Sequence, residues 1–359
     1  MRVVVDINHP AHVHFFKNFI WEMRRKGHDL HIVASEKDVA LQLLKHYSFK
    51  YNNIGSYGNT NLKKLLNIPV LDYRMYKSVK GFNPDIFVGL GSVRASHISK
   101  LMGKPCIIFE DTEHSTEQYV LYAPFTDVIL TPSSFKKNLG KKQIRYDGCH
   151  ELAYLHPRYF RPNPEVLSQY GLNKNDNIFL IRFAAFDASH HRKSNKLRKE
   201  YIWEIISRLE KVGTVIVSSE MELDHIYSRY RYRLTPDKYH DMLYYSRMYI
   251  GEGSTTAEES AILGVPALHF ERICINGRFH DMTYVYGLLD EMQNRYGLLY
   301  GFCEENTLIK KIDELIPNLE QISSEWKVKR NNFLNDKIDV TKFLIWFIEE
   351  YPYSCVAMK

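Results

Sequence analysis

The sequence predicts an α/β protein of two Rossmann-like, doubly wound parallel-sheet domains facing a cleft. Three observations lead there. A chain of 359 residues exceeds the size at which a single hydrophobic core stops growing. Short apolar runs alternate with amphipathic stretches in both halves, as βαβ units around a parallel sheet require. Between the two series, residues 145–164, with Gly148, Pro157, Pro162 and Pro164, lose that rhythm and read as a linker. The expected organisation is a first domain over residues 1–155, a second over 165–335, and a C-terminal helix within 336–359. By analogy with other two-domain proteins of this build, that helix packs back on the first domain.

Taken in order, residues 2–7 read as a strand. Residues 14–26 read as a helix carrying Phe15, Phe16, Phe19, Ile20 and Trp21, stopped by Gly27. A strand at 30–34 and a helix at 39–46 follow. After a loop come a strand at 86–89, a helix from about 95 to 102, and strands at 105–109 and 127–130. The second series opens with a strand at 178–186, a helix at 196–212 and a strand at 214–218. A helix at 237–245, a strand at 248–251, a helix at 255–263 and a strand at 265–270 complete it. Residues 339–350 form the final helix, with Phe343, Leu344, Trp346 and Phe347 on its apolar face.

With 45% hydrophobic and 25% charged residues, the composition excludes a disordered or fibrous chain. The net charge of +6 suits an anionic substrate, a membrane surface or nucleic acid, and by itself selects none of them. The five cysteines, Cys106, Cys149, Cys274, Cys303 and Cys355, show no C-x-x-C spacing, so unpaired thiols in packing roles are expected. The N-terminus runs straight into an apolar strand, and no segment approaches the roughly 20 apolar residues of a membrane span. The expectation is a cytoplasmic protein, whose basic charge also suits peripheral contact at the inner face of the membrane.

The most informative segment is Tyr249-Ile-Gly-Glu-Gly-Ser-Thr-Thr-Ala-Glu-Glu-Ser-Ala-Ile-Leu-Gly-Val-Pro-Ala-Leu268. It reads as strand, glycine-hydroxyl turn, helix, Gly-x-Pro stop and strand. Gly251 and Gly253 let the backbone approach a bulky anion. Ser254, Thr255 and Thr256 cap the helix while their hydroxyls and the free N–H groups of the first turn face a diphosphate. Glu258 and Glu259, one turn on, bring a carboxylate to where a ribose can be held. A routine capping box explains the Ser/Thr and the Glu. It gives no reason for the Gly-x-Gly before them or the Leu-Gly-x-Pro after.

This segment resembles the nucleotide-binding signature of the UDP-N-acetylglucosamine 2-epimerases and of the glycosyltransferase that makes lipid II, both of GT-B fold. In those families a glutamate five residues before the glycine of the Gly-x-Pro stop holds the uridine ribose. Counted back from Gly264, that residue is Glu259. The whole chain also resembles an uncharacterised, largely archaeal family thought to be glycosyltransferase-like. That resemblance is carried by Asp6-Ile-Asn-His-Pro-Ala-His-Val-His14, Phe109-Glu-Asp-Thr-Glu-His114 and Arg182-Phe-Ala-Ala-Phe-Asp187.

Two constellations suggest acid-base chemistry. His9, His12 and His14 follow the first strand, at the carboxyl edge where open α/β sheets bind substrates. His12 is the candidate base or acceptor contact, helix capping being the plainer use of these imidazoles and zinc binding lacking a complementary ligand set. Glu110, Asp111, Glu113 and His114 gather on another strand end, where crowded carboxylates raise one another's pKa. Charges favoured at a helix start account for them equally simply. The resemblance to the epimerases makes Glu110 or Asp111 catalytic. Two departures count against that activity: Gly89-Leu-Gly-Ser92 lacks the companion aspartate, and His190-His-Arg-Lys-Ser-Asn195 stands where those enzymes carry His-x-Arg-x-Glu-Asn.

Arg182, Asp187, Ser189, His190, His191 and Arg192 follow the first strand of the second domain, and Arg182 or Arg192 can neutralise a leaving diphosphate. No Asp-x-Asp pair occurs, so no metal and no cofactor are expected, only electrostatics from helix dipole and arginine. Between Lys50 and Phe82, Lys63, Lys64, Arg74, Lys77 and Lys80 interleave with Tyr51, Tyr57, Leu65, Leu66, Ile68, Tyr73 and Tyr76, with Asp72 the only acid of the group. That pattern suits an anionic membrane or acceptor, or simply a solvated loop face. Stacking of single-stranded nucleic acid on the tyrosines is a third use, though nucleic acid is not an expected partner. The expected function is therefore sugar transfer from a nucleotide donor, expected to be UDP-linked, to a glycan or lipid-linked acceptor hydroxyl. A nucleotide-sugar 2-epimerase and a non-catalytic nucleotide-sugar-binding protein are the alternatives.

Overall fold

The computed structural model describes residues 1–37, 39–58, 61–183, 196–219, 225–232 and 234–359, with the side chains of residues 61, 62, 64, 219 and 226 left aside. The chain divides into two compact units, Met1–Tyr154 with Ile338–Lys359, and Leu155–Lys337.

In the first unit the elements run β1 (Arg2–Ile7), α1 (Pro10–Arg25), β2 (Asp29–Ala34), α2 (Ala40–His46), β3 (Tyr51–Asn53), α3 (Asn61–Val79), β4 (Ile86–Leu90), α4 (Val93–Leu101), β5 (Cys106–Phe109), α5 (Thr116–Tyr122), β6 (Val128–Pro132), β7 (Gln143–Tyr146) and, crossing the boundary, α6 (Leu152–Leu155). All seven strands are parallel, in the order β3-β2-β1-β4-β5-β6-β7. Val3 pairs with Leu30 on one side and Ile86 on the other. A strand covered on both faces reads as a near-continuous apolar run rather than an alternating one: Val3, Val4, Val5 and Ile7 are all buried, and Asp6 is buried with them as the one charged exception. The order reverses direction between β1 and β4, the topological switch point at which open α/β sheets bind ligands.

The first unit departs from the sequence reading at α1, β3 and α3, and α5 and β7 were not expected either. Helix α1 begins at Pro10 rather than 14, because His9 serves as N-cap and its Nδ1 accepts from the Ala11 amide at 3.3 Å, with Pro10 at the first helical position. His12 and His14 are thus inside the helix. The region read as a loop holds β3 and the long α3, whose Leu71, Met75 and Val79 recur every four residues and enter the core beneath it. Pro69 inside that helix hid the period.

Within the second unit come α7 (Glu165–Gln169), β8 (Ile178–Phe183), α8 (Lys199–Leu209), β9 (Thr214–Ser219), α9 (Tyr239–Tyr245), β10 (Met248–Gly251), α10 (Ser254–Leu263), β11 (Ala267–Phe270), β12 (Arg272–Ile275), β13 (Arg278–Asp281), α11 (Gly287–Asn294), β14 (Leu299–Phe302), α12 (Glu305–Leu315) and α13 (Leu319–Asp336). A parallel sheet has the order β14-β11-β10-β8-β9, and β12 pairs with β13 as an antiparallel hairpin. Its switch point lies between β8 and β10.

The last helices, α14 (Val340–Glu349) and α15 (Tyr353–Ala357), belong to the first unit. Phe343 stacks on Tyr146 at 5.2 Å, and the Thr341 hydroxyl donates to the Ala153 carbonyl at 2.8 Å, the same oxygen that receives Asn18 Nδ2. His28 and Lys26 both reach Glu349. Cys106 and Cys149 are buried, and burial pushes the Cys106 thiol up to about 12. Cys274 is exposed and fills no core, which corrects the uniform packing role expected of the cysteines. Among the described residues no helix is long and apolar enough to cross a membrane.

Candidate functional site

Each sheet carries a polar cluster at the carboxyl end of its switch-point strands. In the first unit the foundation is Asp6, at the end of β1, fully buried against the equally buried Arg94. Arg94 Nε donates to Asp6 Oδ1 at 2.8 Å, its Nη1 to Ser35 Oγ at 3.0 Å and its Nη2 to the Ile7 carbonyl at 3.1 Å. Ser92 Oγ donates to the other Asp6 oxygen and accepts from the Ala95 amide, capping α4. A buried charge pair survives only when its remaining donors and acceptors are satisfied. This one is, and it fixes the ends of β1, β2 and α4 around the switch point.

Above it lie the acid-base candidates. Glu110 is buried: its Oε1 accepts from the Asp111 and Thr112 amides at 3.1 and 2.9 Å, and its Oε2 from the Tyr122 hydroxyl at 2.7 Å. Burial, with the negative charge of Asp111 beside it, pushes Glu110 up to about 7 despite those hydrogen bonds. Folding therefore favours the protonated form. That contribution to stability is whole below the ordinary carboxylate range and is lost as pH rises through about 7.

Asp111 behaves oppositely. Its Oδ2 lies 2.6 Å from His150 Nδ1. Although burial works against the charge, the His150 imidazolium and the Thr112 hydroxyl hold Asp111 down at about 2. Burial likewise opposes charge on His150, but Asp111, Glu151 and Glu110 outweigh it and raise its pKa. His150 Nε2 is buried with no hydrogen-bond partner among the described residues. His12 has its pKa lowered well below the usual histidine value, first by burial and then by His9, with Asp111 acting in the other direction. The cluster thus holds one imidazole biased toward its neutral form, one biased toward its cationic form beside a carboxylate, and one carboxyl poised near neutrality.

The other candidates fall outside this group. His14 is buried against Tyr154 at 5.4 Å and Tyr47 at 6.3 Å, a packing position. His114 is exposed in the turn before α5; the imidazole in contact with Asp111 is instead His150, inside the stretch read as a linker. His150 was legible only as a histidine following the short alternating strand Gln143–Tyr146. Arg94 left no sequence signal beyond its place after Gly91-Ser92.

In the second unit, Gly251 ends β10 beside Arg182 on β8. A Cβ on Gly251 would stand 2.3 Å from the Arg182 carbonyl oxygen, so the neighbouring strand already explains this glycine. Gly253 differs: it is exposed, with φ +93°, and is itself the N-cap of α10. The expectation that Ser254, Thr255 and Thr256 cap the helix is corrected by this. They are its first three residues, and no side chain caps it. Thr255 is exposed, Ser254 half-buried and Thr256 buried.

One turn on, Glu258 and Glu259 are buried, and Glu259 Oε1 lies 2.8 Å from His240 Nε2 on α9. The Arg182 guanidinium sits over the Tyr239 ring, 5.6 Å from its centroid. Burial pushes the Tyr239 hydroxyl up to about 12 against the pull of Arg182. Glu252 accepts from the Leu197 amide at 2.7 Å and so anchors the chain entering α8. Asp187, Ser189, His190, His191 and Arg192 lie outside the described residues.

Two parallel, helix-flanked sheets of Rossmann type are the hallmark of the GT-B class, and solved structures of that class superpose on this chain. UDP-GlcNAc 2-epimerase from Neisseria meningitidis, bound to UDP-GlcNAc, matches 98% of this chain and 100% of its own at 13% identity and TM-score 0.65. The spinosyn rhamnosyltransferase SpnG, complexed with spinosyn aglycone, matches 98% and 100% at 11% identity and TM-score 0.60. At such identities the likeness is one of fold. The chain itself belongs to the family described as "Protein of unknown function (DUF354)", which it matches over residues 1–277. A relative in Methanocaldococcus jannaschii, the uncharacterized protein MJ0665, is 25% identical over 282 residues, 75% of this chain and 81% of the relative.

Proposed function

We propose that the protein is a metal-independent glycosyltransferase that moves a sugar from a UDP-linked donor to an acceptor hydroxyl in glycan or glycolipid assembly. One arrangement carries the reading: the start of α10, with Gly253 as a side-chain-free cap and the hydroxyls of Ser254, Thr255 and Thr256 on its first turn. Such an end offers unpaired amides and a positive dipole to a diphosphate. Arg182 adds charge for the departing diphosphate, and Glu259, steadied by His240, is assigned to the ribose. That a structural neighbour of the same fold is bound to UDP-GlcNAc supports the donor class.

In the reaction, neutral His12 takes the proton of the acceptor hydroxyl. The acceptor oxygen bonds to the anomeric carbon, and the carbon–oxygen bond to the diphosphate breaks with its electron pair leaving on the phosphate. Asp111, kept ionised by His150, stabilises the imidazolium that forms on His12, as a carboxylate does in hydrolytic triads.

A second reading has one observation in its favour. Glu110, up at about 7, can both give and take a proton at neutral pH, as a nucleotide-sugar 2-epimerase requires. Incubation with UDP-N-acetylglucosamine in deuterated water, with EDTA throughout, separates the two. The transferase reading expects no deuterium at carbon 2 and no manno isomer, and expects released UDP once a lipid-linked or glycan acceptor is supplied. Deuterium at carbon 2 establishes the epimerase instead, and nucleotide binding without turnover of any acceptor establishes a non-catalytic binder.

A further inference from the structure

Helix α3 is apolar on two sides. Leu71, Met75 and Val79 face the core of the first unit, with Ile68 packed at its margin. The opposite side is apolar as well: Leu65, Leu66, Pro69, Val70, Tyr73 and Tyr76 are all exposed, Leu66 at 65% and Tyr73 at 61%. At 100° per residue these six fall within one arc, so they form a continuous stripe rather than scattered side chains. Soluble proteins seldom leave such a stripe to water unless something covers it.

The charges around the stripe say what covers it. Lys63, Lys77 and Lys80 are exposed on the same helix or at its end, and the Lys77 ammonium lies 5.7 Å from the Tyr73 ring centre. The only acid between residues 61 and 80 is Asp72. It is turned inward and taken by His97 Nδ1 at 2.7 Å. A second copy of the chain docked face to face would set these lysines against their own equivalents. A surface of anionic lipid headgroups neutralises them while the leucines and tyrosines enter the interface.

We propose that the outward side of α3 docks the first unit on an anionic membrane, and that the acceptor is an amphiphile presented from it. The helix start is tied to the catalytic edge of the sheet. Asn67 Nδ2 donates to the Tyr57 carbonyl at 3.0 Å, and the Tyr57 ring lies 5.5 Å from Arg94, the partner of Asp6. Arg94 in turn acts electrostatically on His12, so the start of α3 and His12 are linked through the same buried charge. The acceptor half of this proposal rests on the transferase reading; the docking half does not.

Sedimentation of the full chain with vesicles tests the docking. Binding to phosphatidylcholine vesicles containing about a third phosphatidylglycerol should exceed binding to pure phosphatidylcholine on the order of tenfold, and should fall as salt rises. The double variant Leu66→Ser/Tyr73→Ser should lose roughly tenfold of that binding. Lys63→Gln/Lys77→Gln/Lys80→Gln should lose the preference for anionic vesicles altogether. All of these positions are exposed, so melting temperature and UDP binding should match the parent. Equal sedimentation of parent and variants overturns the proposal, as does a parent dimer in ultracentrifugation that dissociates in the Leu66/Tyr73 variant. Loss of the transferase reading through the deuterium experiment would leave the vesicle result standing and remove only the acceptor assignment.

Discussion

Replacing His12 with alanine should cut sugar transfer on the order of a hundredfold or more, the usual size of a lost general base, while leaving UDP affinity unchanged. The expectation follows from the contrast between two imidazoles. Asp111 raises the pKa of His150 against the effect of burial and so disfavours it as a base, whereas burial and the neighbouring His9 lower that of His12 and leave its neutral form free to accept a proton. Because the pKa of His12 is lowered, its neutral form persists well into mild acid, and transfer should not collapse just below neutrality. Loss is expected on the alkaline side. Glu110 is protonated below about 7 and ionises above it, setting a second negative charge beside Asp111 and disturbing the charge balance of the cluster. Glu110→Gln, fixed in the neutral form, should flatten that limb. An undiminished His12→Ala rate would move the base to Asp111.

The second large effect is expected at Glu259. A ligand that binds only the native state stabilises it by about 2.7 kcal/mol at a hundredfold excess over its dissociation constant, and UDP should raise the melting temperature of the parent accordingly. Glu259→Ala should abolish most of that shift. The variant will also be less stable in itself, because His240 loses a buried partner at 2.8 Å. The informative quantity is therefore the difference with and without UDP. Glu259→Gln, which keeps the side-chain volume and an acceptor for His240, should melt nearer the parent yet still respond weakly to UDP. Equal UDP shifts in parent and both variants would remove Glu259 from the ribose.

Much of this protein is legible in its sequence because parallel sheets leave a strong imprint. Buried strands such as β1 are near-continuously apolar, with Asp6 the one charged position and that one paired with Arg94, and the Gly-x-Gly, hydroxyl, Gly-x-Pro punctuation around α10 fixes strand, turn, helix and stop. What was hidden is hidden for physical reasons. Helix α3 carries apolar residues on both sides and a proline in the middle, so the one-sided period that marks an ordinary surface helix is absent. The strand Gln143–Tyr146 is short and borders a run of glycine and prolines. That border made His150 look like linker, although it is the partner that sets the charge of Asp111. Arg94 shows the same limit: its role exists only through Asp6, 88 residues away, a pairing made by the sheet order. At α10 the expected order of strand, turn, helix and strand is present, and the expected hydroxyl cap is not. Gly253 takes the N-cap position and frees three hydroxyl residues from that duty.

The central claim is that the nucleotide rests on the first turn of α10, and amide hydrogen exchange in the presence of UDP tests it most directly. Amides with no intrahelical partner exchange readily unless a ligand engages them. Saturating UDP should slow exchange in peptides covering residues 252–259 and leave those covering residues 2–25, which include His12, unchanged. Protection confined to residues 2–25, or none at 252–259 under conditions where UDP demonstrably binds, would contradict the account.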